Sequence, residues 1–255
     1  MIKSHLEYFP LLLGLFLISC GSIQPEIRST EPIDHKLFDV LLSKYVDQDG
    51  SVNYKGFQND SVIFNQYLDL LKENAPNNEK WNESEKLAYW INAYNAFTIE
   101  LILKHYPLKS IKDIGASIQI PFINTPWDIK FIKIGDEKFD LNNIEHGILR
   151  KDFDEPKIHF AIGCASLSCP NLRREAYIAE KLEGQLTEQA RKFINDPSKN
   201  ILEKDNVKIS KIFSWFKGDF TKKSTLIDFL NKFSKETISP EAKISHMDYD
   251  WSLNE

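Results

Sequence analysis

The chain has 255 residues, of which 42% are hydrophobic and 12% aromatic, enough apolar material for a sizeable folded core. Its net charge is −5 at pH 7 and its basic residues do not gather in one stretch, so we expect no nucleic-acid partner. Three cysteines are too few for a disulfide-rich scaffold.

The N-terminus has the pattern of a lipoprotein signal peptide over residues 1–19. Lys3 precedes an apolar run at 11–18, and the residues 17–20, LISC, have the form of a lipobox. The run is too short to span a bilayer, which takes about 20 apolar residues. We predict cleavage before Cys20 and lipidation of its thiol, with a plain secretory signal or an uncleaved anchor as the alternative.

This N-terminus predicts where the protein acts. Residues 20–32 are a polar tether, and residues 33–255 form a single globular domain. The lipid would hold that domain on a membrane of the bacterial cell envelope, for which we expect the outer membrane. The partners are then the membrane itself and an envelope ligand or substrate that the sequence does not identify.

Hydrophobic periodicity, capping residues and turn signals predict the elements in chain order. The predicted helices are 34–46, 61–75, 83–105, 141–149, 176–194 and 225–233. The predicted hairpins pair 129–134 with 138–139 and 201–203 with 207–209. Helices and short hairpins interleave without regular strand–helix–strand alternation, so we predict an α+β fold. In it a long buried central helix packs with a small, mostly antiparallel sheet and peripheral helices.

The helix at 83–105 is apolar nearly all round, which is typical of a core helix. Asn92 and Asn95 therefore lie inside, where each amide needs hydrogen-bond partners. One interpretation is that both amides hold neighbouring backbone in place. The other is that Asn92 stabilises a reacting group and that Asn95 supports the site.

The helix at 141–149 carries an adjacent Glu145 and His146, followed by Arg150. Glu145 lies at the margin of the apolar face, where a half-buried carboxylate needs a cation or several donors. It is either part of a structural ion pair or the acid that orients a catalytic imidazole.

Both remaining cysteines lie in one loop, between a predicted buried strand at 158–162 and a predicted helix start at Pro170. Cys164 follows Gly163, a residue that permits a sharp turn, and Ser168 and Cys169 lie near the helix N-cap. A helix N-terminus and the nearby Arg173 would lower a thiol pKa. The pair is either a disulfide or packing feature, or it includes a nucleophile. No second Cys/His pair has zinc-like spacing, so we predict no metal and no cofactor.

Several segments together resemble the family of domains of unknown function 547, over nearly the whole chain after the tether. They are YVDQDG at 45–50, YWINAYNA at 89–96, FDL at 139–141, IEHGILR at 144–150, HFA at 159–161, CASLSCP at 164–170 and YDWSLN at 249–254. The family label carries no established activity. Its bacterial members often resemble exported proteins or lipoproteins, in agreement with the lipobox.

The family's architecture looks similar to that of papain-like and transglutaminase-like cysteine hydrolases. Those enzymes carry the nucleophilic Cys at the start of a central helix, upstream of the His, whereas here the cysteines follow His146. The resulting hypothesis is a hydrolase or acyl transferase acting on envelope peptides or amides, with Cys164 as nucleophile, His159 or His146 as base, Glu145 as orienting acid and Asn92 as stabiliser. The alternative is a non-catalytic envelope binding or assembly module whose polar motifs are structural.

Overall fold

The computed structural model describes residues 30–115 and 125–255. The predicted signal peptide, the lipidation site Cys20 and most of the predicted tether lie outside these residues. Within the described ranges, no helix is both long enough and apolar enough to cross a membrane.

The fold is α+β, as predicted. Its α-helices are α1 Lys36–Tyr45, α2 Tyr54–Asn59, α3 Ser61–Glu73, α4 Glu83–His105, α5 Arg150–Asp152, α6 Leu182–Ile194, α7 Ile212–Trp215, α8 Lys217–Phe220 and α9 Leu226–Asn231. A π-helix, Asn143–Leu149, leads directly into α5. Single 3-10 turns occupy Ile111–Asp113, Pro126–Asp128 and Ala179–Lys181, and a longer one occupies Pro156–Phe160.

Helix α4 is the centre of the fold. The side chain of Asn82 accepts a hydrogen bond from the Glu85 N–H, and the Glu85 carboxylate accepts one from the Asn82 N–H, so the helix begins with the capping box that its sequence predicts. It is buried along most of its length, including both asparagines. Its polar side chains therefore have to find partners inside the protein.

The strands form two small sheets. Strands β1 Ile132–Ile134 and β2 Glu137–Phe139 make an antiparallel hairpin through a turn at Gly135. Strands β3 Ile201–Leu202 and β4 Asn206–Ile209 make the second predicted hairpin. A third strand, β5 Lys243–His246, pairs with β4 in parallel and was not predicted, because its side chains are exposed and show no alternation of burial.

The predicted strand at 158–162 is wrong. The segment forms a 3-10 helix that begins at Pro156, with the Glu155 carboxylate accepting from the Lys157 N–H. Ile158 and Ile162 pack into one apolar cluster and Phe160 into another, so the segment is buried on several sides. A short apolar run buried in this way cannot be told from a strand by periodicity.

The predicted helix start at Pro170 and the predicted start of the next helix at Ala176 are also wrong. Residues 170–178 are irregular, a 3-10 turn occupies Ala179–Lys181, and α6 begins at Leu182. Side chains from other helices take up the backbone hydrogen bonds of this segment. Asn92 bonds both the N–H and the C=O of Tyr177, Gln185 bonds the N–H of Ile178, and Gln189 bonds the C=O of Asn171.

The buried apolar residues form two clusters. The larger surrounds α4 and includes α1, α3 and the π-helix, and the smaller surrounds Phe160 and Phe213 and includes α6 and α9. Residues 158–162 contribute to both clusters. The loop that carries the two cysteines therefore begins where the clusters adjoin.

Candidate active site

A cleft of about 160 Å³ is lined by residues of both clusters. Five of the predicted site residues lie on its wall. They are Glu145 and His146 from the π-helix, His159 from the 3-10 helix, and Cys164 and Cys169 from the following loop. These groups are spread over 25 residues of sequence, and the fold brings them to one cavity.

Cys164 and Cys169 are joined by a disulfide bond. Of the two interpretations that the sequence left open, this structure contains the bonded form. The hydroxyl oxygen of Tyr249 lies 3.2 Å from the Cys164 sulfur and 3.5 Å from the Cys169 sulfur, on the cleft wall. The residue of the loop with a left-handed backbone is Ala165, with φ of 58°.

His159 is held in one tautomer by a carboxylate that the sequence analysis missed. Its Nε2 lies 2.8 Å from Asp219 Oδ2, and its ring stacks on Phe216 at 4.0 Å between centroids. Hydrogen bonds from His159 and Arg150 hold the pKa of Asp219 well below its usual range, so the carboxylate accepts and Nε2–H donates. Burial lowers the pKa of His159 and favours the neutral ring, in which Nδ1 is unprotonated.

Arg150 links the two histidines. It donates from Nε and one terminal nitrogen to Asp219, at 2.6 and 3.2 Å, and its other terminal nitrogen lies 3.0 Å from His146 Nδ1. Because arginine only donates, His146 Nδ1 accepts and the proton of the neutral ring is on Nε2. Burial, with the charge of Arg150, lowers the pKa of His146 and favours this neutral form.

The Glu145 carboxylate is not hydrogen-bonded to either cleft histidine in this structure. Its Oε2 accepts a hydrogen bond from the hydroxyl of Tyr94 at 3.2 Å, in a buried position. Burial raises the pKa of Glu145 to about 7. The contact that we predicted for Glu145, on a catalytic imidazole, is made by Asp219.

Asn92 and Asn95 both clamp backbone, which is the first of the two roles left open by the sequence. Asn92 lies away from the cleft and bonds the N–H and C=O of Tyr177. Asn95 donates to the C=O of Ala161 and accepts from the N–H of Gly163, each at 2.9 Å. It therefore holds the start of the cysteine loop.

We expect Asn95→Ala to lower the free energy of unfolding by about 3 kcal/mol, because two backbone groups lose their partner. Asn92→Ala is the matched control, since it also removes the partner of two backbone groups, which belong to Tyr177 outside the loop. Urea unfolding should show that both variants lose a similar amount of free energy of unfolding. Only Asn95→Ala should speed reduction of the Cys164–Cys169 bond by dithiothreitol, and equal rates in both variants would contradict its role at the loop.

Two further predicted supporting residues act outside the cleft. Ser168 accepts from the N–H of Asp250, while its own N–H donates to the Asp250 C=O, which ties the cysteine loop to the C-terminal segment. Arg173 pairs with Glu175 and Glu188 and does not line the cleft. The predicted effect of Arg173 on a thiol at a helix N-terminus is therefore wrong, because that helix does not form.

The fold and the site define an α+β protein in which a disulfide and a His–Asp–Arg network share one aromatic cleft. Residues 78–194 match the family model described as "Protein of unknown function, DUF547". No curated protein and no solved structure matches the chain.

The predicted resemblance to this family is thus confirmed over residues 78–194. The similarity to papain-like hydrolases stays a prediction. The matched region includes both cysteines and both cleft histidines. Asp219 and Tyr249 lie beyond it. The signal that could have found Asp219 is its place in an aromatic segment, WFKGDF at 215–220, where a charged residue needs a partner.

Proposed function

We propose that the protein is a thiol-dependent hydrolase or acyl transferase whose nucleophile, Cys164, is stored in the disulfide with Cys169. One observation carries this proposal. His159, held by Asp219 with Nδ1 unprotonated, lines the same cleft as the Cys164 sulfur. A base whose other nitrogen is held by a carboxylate, in the same cavity as a cysteine, supplies two of the parts that nucleophilic thiol catalysis needs.

The reaction would begin with reduction of the disulfide by an external dithiol. The dithiol loses two hydrogens and becomes a disulfide, while Cys164 and Cys169 each gain one. His159 Nδ1 then accepts the Cys164 proton, and the thiolate attacks an amide carbonyl carbon. The amine leaves with that proton and a thioester remains on Cys164. Water releases the acid and restores the thiol in a hydrolase, and an acceptor amine does so in a transferase.

The predicted lipid anchor sets the substrate class of this proposal. A domain tethered through Cys20 in the bacterial envelope would meet envelope peptides and amides, with the outer membrane as the expected site. That environment is oxidising, so a stored disulfide is compatible with it. The lipobox at 17–20 supports this part of the proposal.

The disulfide also favours a second candidate, a non-catalytic envelope binding or assembly module. A permanently bonded pair has no thiolate and would only stabilise the loop. Closing so short a loop contributes about 2 kcal/mol to folding. The two candidates differ in whether the reduced Cys164 thiol is activated by its surroundings.

Alkylation of the full chain carrying Cys20→Ser and Cys169→Ser tests the proposal, because Cys164 is then the only cysteine. At pH 7 we expect iodoacetamide to label folded Cys164 about tenfold faster than the same chain unfolded in urea, since a nearby base raises the thiolate fraction. His159→Gln should remove this excess, with circular dichroism confirming that the variant is folded.

The matched control is the full chain with Cys20→Ser and Cys164→Ser, which leaves Cys169 alone. We expect no excess labelling of Cys169. Labelling of Cys164 no faster in the folded than in the unfolded chain would overturn the enzyme proposal. It would leave the binding module as the function that the structure supports.

A further inference from the structure

One wall of the cleft consists of aromatic rings that the thiol chemistry does not use. Trp215, Tyr249 and Trp251 contact one another at centroid distances of 4.5 to 5.9 Å, and Trp127 extends the group at 5.7 Å from Trp251. Trp215 is 48% exposed, although it lines the cavity. A half-exposed indole beside other rings is a surface on which a flat apolar ligand face can stack.

The charges around this wall disfavour a cationic ligand. The ammonium of Lys112 lies 4.9 Å from the centre of the Trp251 ring, and the guanidinium of Arg150 lies 5.0 Å from that of Phe216. Cations of the protein thus already contact two rings of the cleft, and an added ammonium group would be repelled by them. A neutral ligand fits the wall better.

Polar groups line the same cavity as the aromatic wall. His146 offers Nε2–H as a donor, because its Nδ1 accepts from Arg150. Asn142 donates its amide to Asp128, which leaves its side-chain oxygen as an acceptor. Both residues line the cleft with Glu145. The cavity therefore matches a small neutral molecule with one apolar face and hydrogen-bonding groups at its edge.

We propose that the aromatic wall of Trp127, Trp215, Tyr249 and Trp251 binds a pyranose ring, so that the substrate is an amide-bearing glycan. A pyranose presents C–H groups on its face and hydroxyl groups around its edge, which is the pattern that this cleft complements. An N-acylated amino sugar adds a neutral amide at the edge of the ring, within the cavity that contains Cys164. This inference deepens the proposed function and rests on it for the chemistry at the amide.

Binding can be measured without catalysis, because the oxidised protein has no thiol on Cys164. We expect N-acetylglucosamine oligomers of one to four rings to change the tryptophan fluorescence of the oxidised full chain. Trp215→Ala should weaken their binding about tenfold, the loss of one stacked ring. Trp90→Phe is the matched control, because Trp90 lines a separate cavity, and it should bind as the unmodified chain does.

Three further probes can overturn the assignment. Glucose oligomers should bind more weakly, and equal binding would contradict the role of the amide. Tighter binding of tetramethylammonium would assign the wall to a cation, and tighter binding of N-acetylphenylalanine amide would assign it to a peptide. Failure of all sugars would overturn this inference alone, because the alkylation experiment tests Cys164 independently.

Discussion

Replacing Glu145 with glutamine is expected to stabilise the folded protein by about 3 kcal/mol at pH 8 and to have little effect at pH 5. Burial raises the pKa of this carboxyl from 4.5 to about 7, although Tyr94 and Arg150 oppose the change. Between pH 4.5 and about pH 7, the Glu145 carboxyl has lost its proton in the unfolded chain and keeps it in the folded chain. Stability therefore falls as the pH rises through this window, and above pH 7 the full cost of a buried charge is present.

Urea unfolding of both proteins at pH 5 and pH 8 measures this effect. Glutamine keeps an oxygen that can accept from Tyr94 and has no charge at either pH, so it matches the protonated acid. Glu241→Gln, at an exposed position, is the control and should change stability little at both pH values. A Glu145→Gln variant that is less stable than the unmodified protein at pH 8 would show that the buried carboxylate is well solvated or paired.

The other large effect is expected from Asp219→Asn, which should lower the free energy of unfolding by about 2 kcal/mol at neutral pH. Asp219 joins Arg150 and His159, and an amide cannot accept from both with the strength of a carboxylate. Because these partners lower the pKa of Asp219 below 3.8, its stabilisation is present above that pH. It is lost as the pH falls through the lower, folded-state pKa.

The tautomer of His159 provides a readout that a merely structural role would not change. In the unmodified protein, ¹⁵N chemical shifts should show the proton on Nε2, and in Asp219→Asn both tautomers should be present. Asp154→Asn removes exposed pairs with Lys222 and Lys223 and should change neither stability nor tautomer appreciably. An unchanged His159 tautomer in Asp219→Asn would remove the orienting role that the proposed function assigns to Asp219.

Local sequence signals predicted the elements whose causes are local. The prediction for α4 matches its bounds, Glu83–His105, because Asn82 and Glu85 cap it and Pro107 follows its end. The turn before β2 and the turn at Asp47–Gly50 each contain a glycine with a positive φ, 57° at Gly135 and 82° at Gly50. The turn residues themselves therefore determine these two turns. These features depend on neighbours within a few residues, which a single sequence displays.

The predictions that failed concern segments whose hydrogen bonds are long-range. Residues 170–178 contain a proline in a position that favours a helix start, yet their backbone groups bond to the side chains of Asn92 on α4 and of Gln185 and Gln189 on α6. The 158–162 segment is apolar and buried by two clusters at once. Neither kind of contact produces a hydrophobic periodicity that a single sequence displays.

The sequence by itself determined the family resemblance, the α+β class, the buried central helix and the grouping of Glu145, His146, His159 and the two cysteines as the residues to examine. Only the tertiary structure decided their partners. In it Cys164 is bonded to Cys169, and His159 is hydrogen-bonded to Asp219 instead of Glu145. Trp215 and Trp251 line the same cavity. The physical reason is that a buried polar group is stabilised by whichever partner the packing of distant elements brings within about 3 Å, and spacing along the chain does not specify that partner.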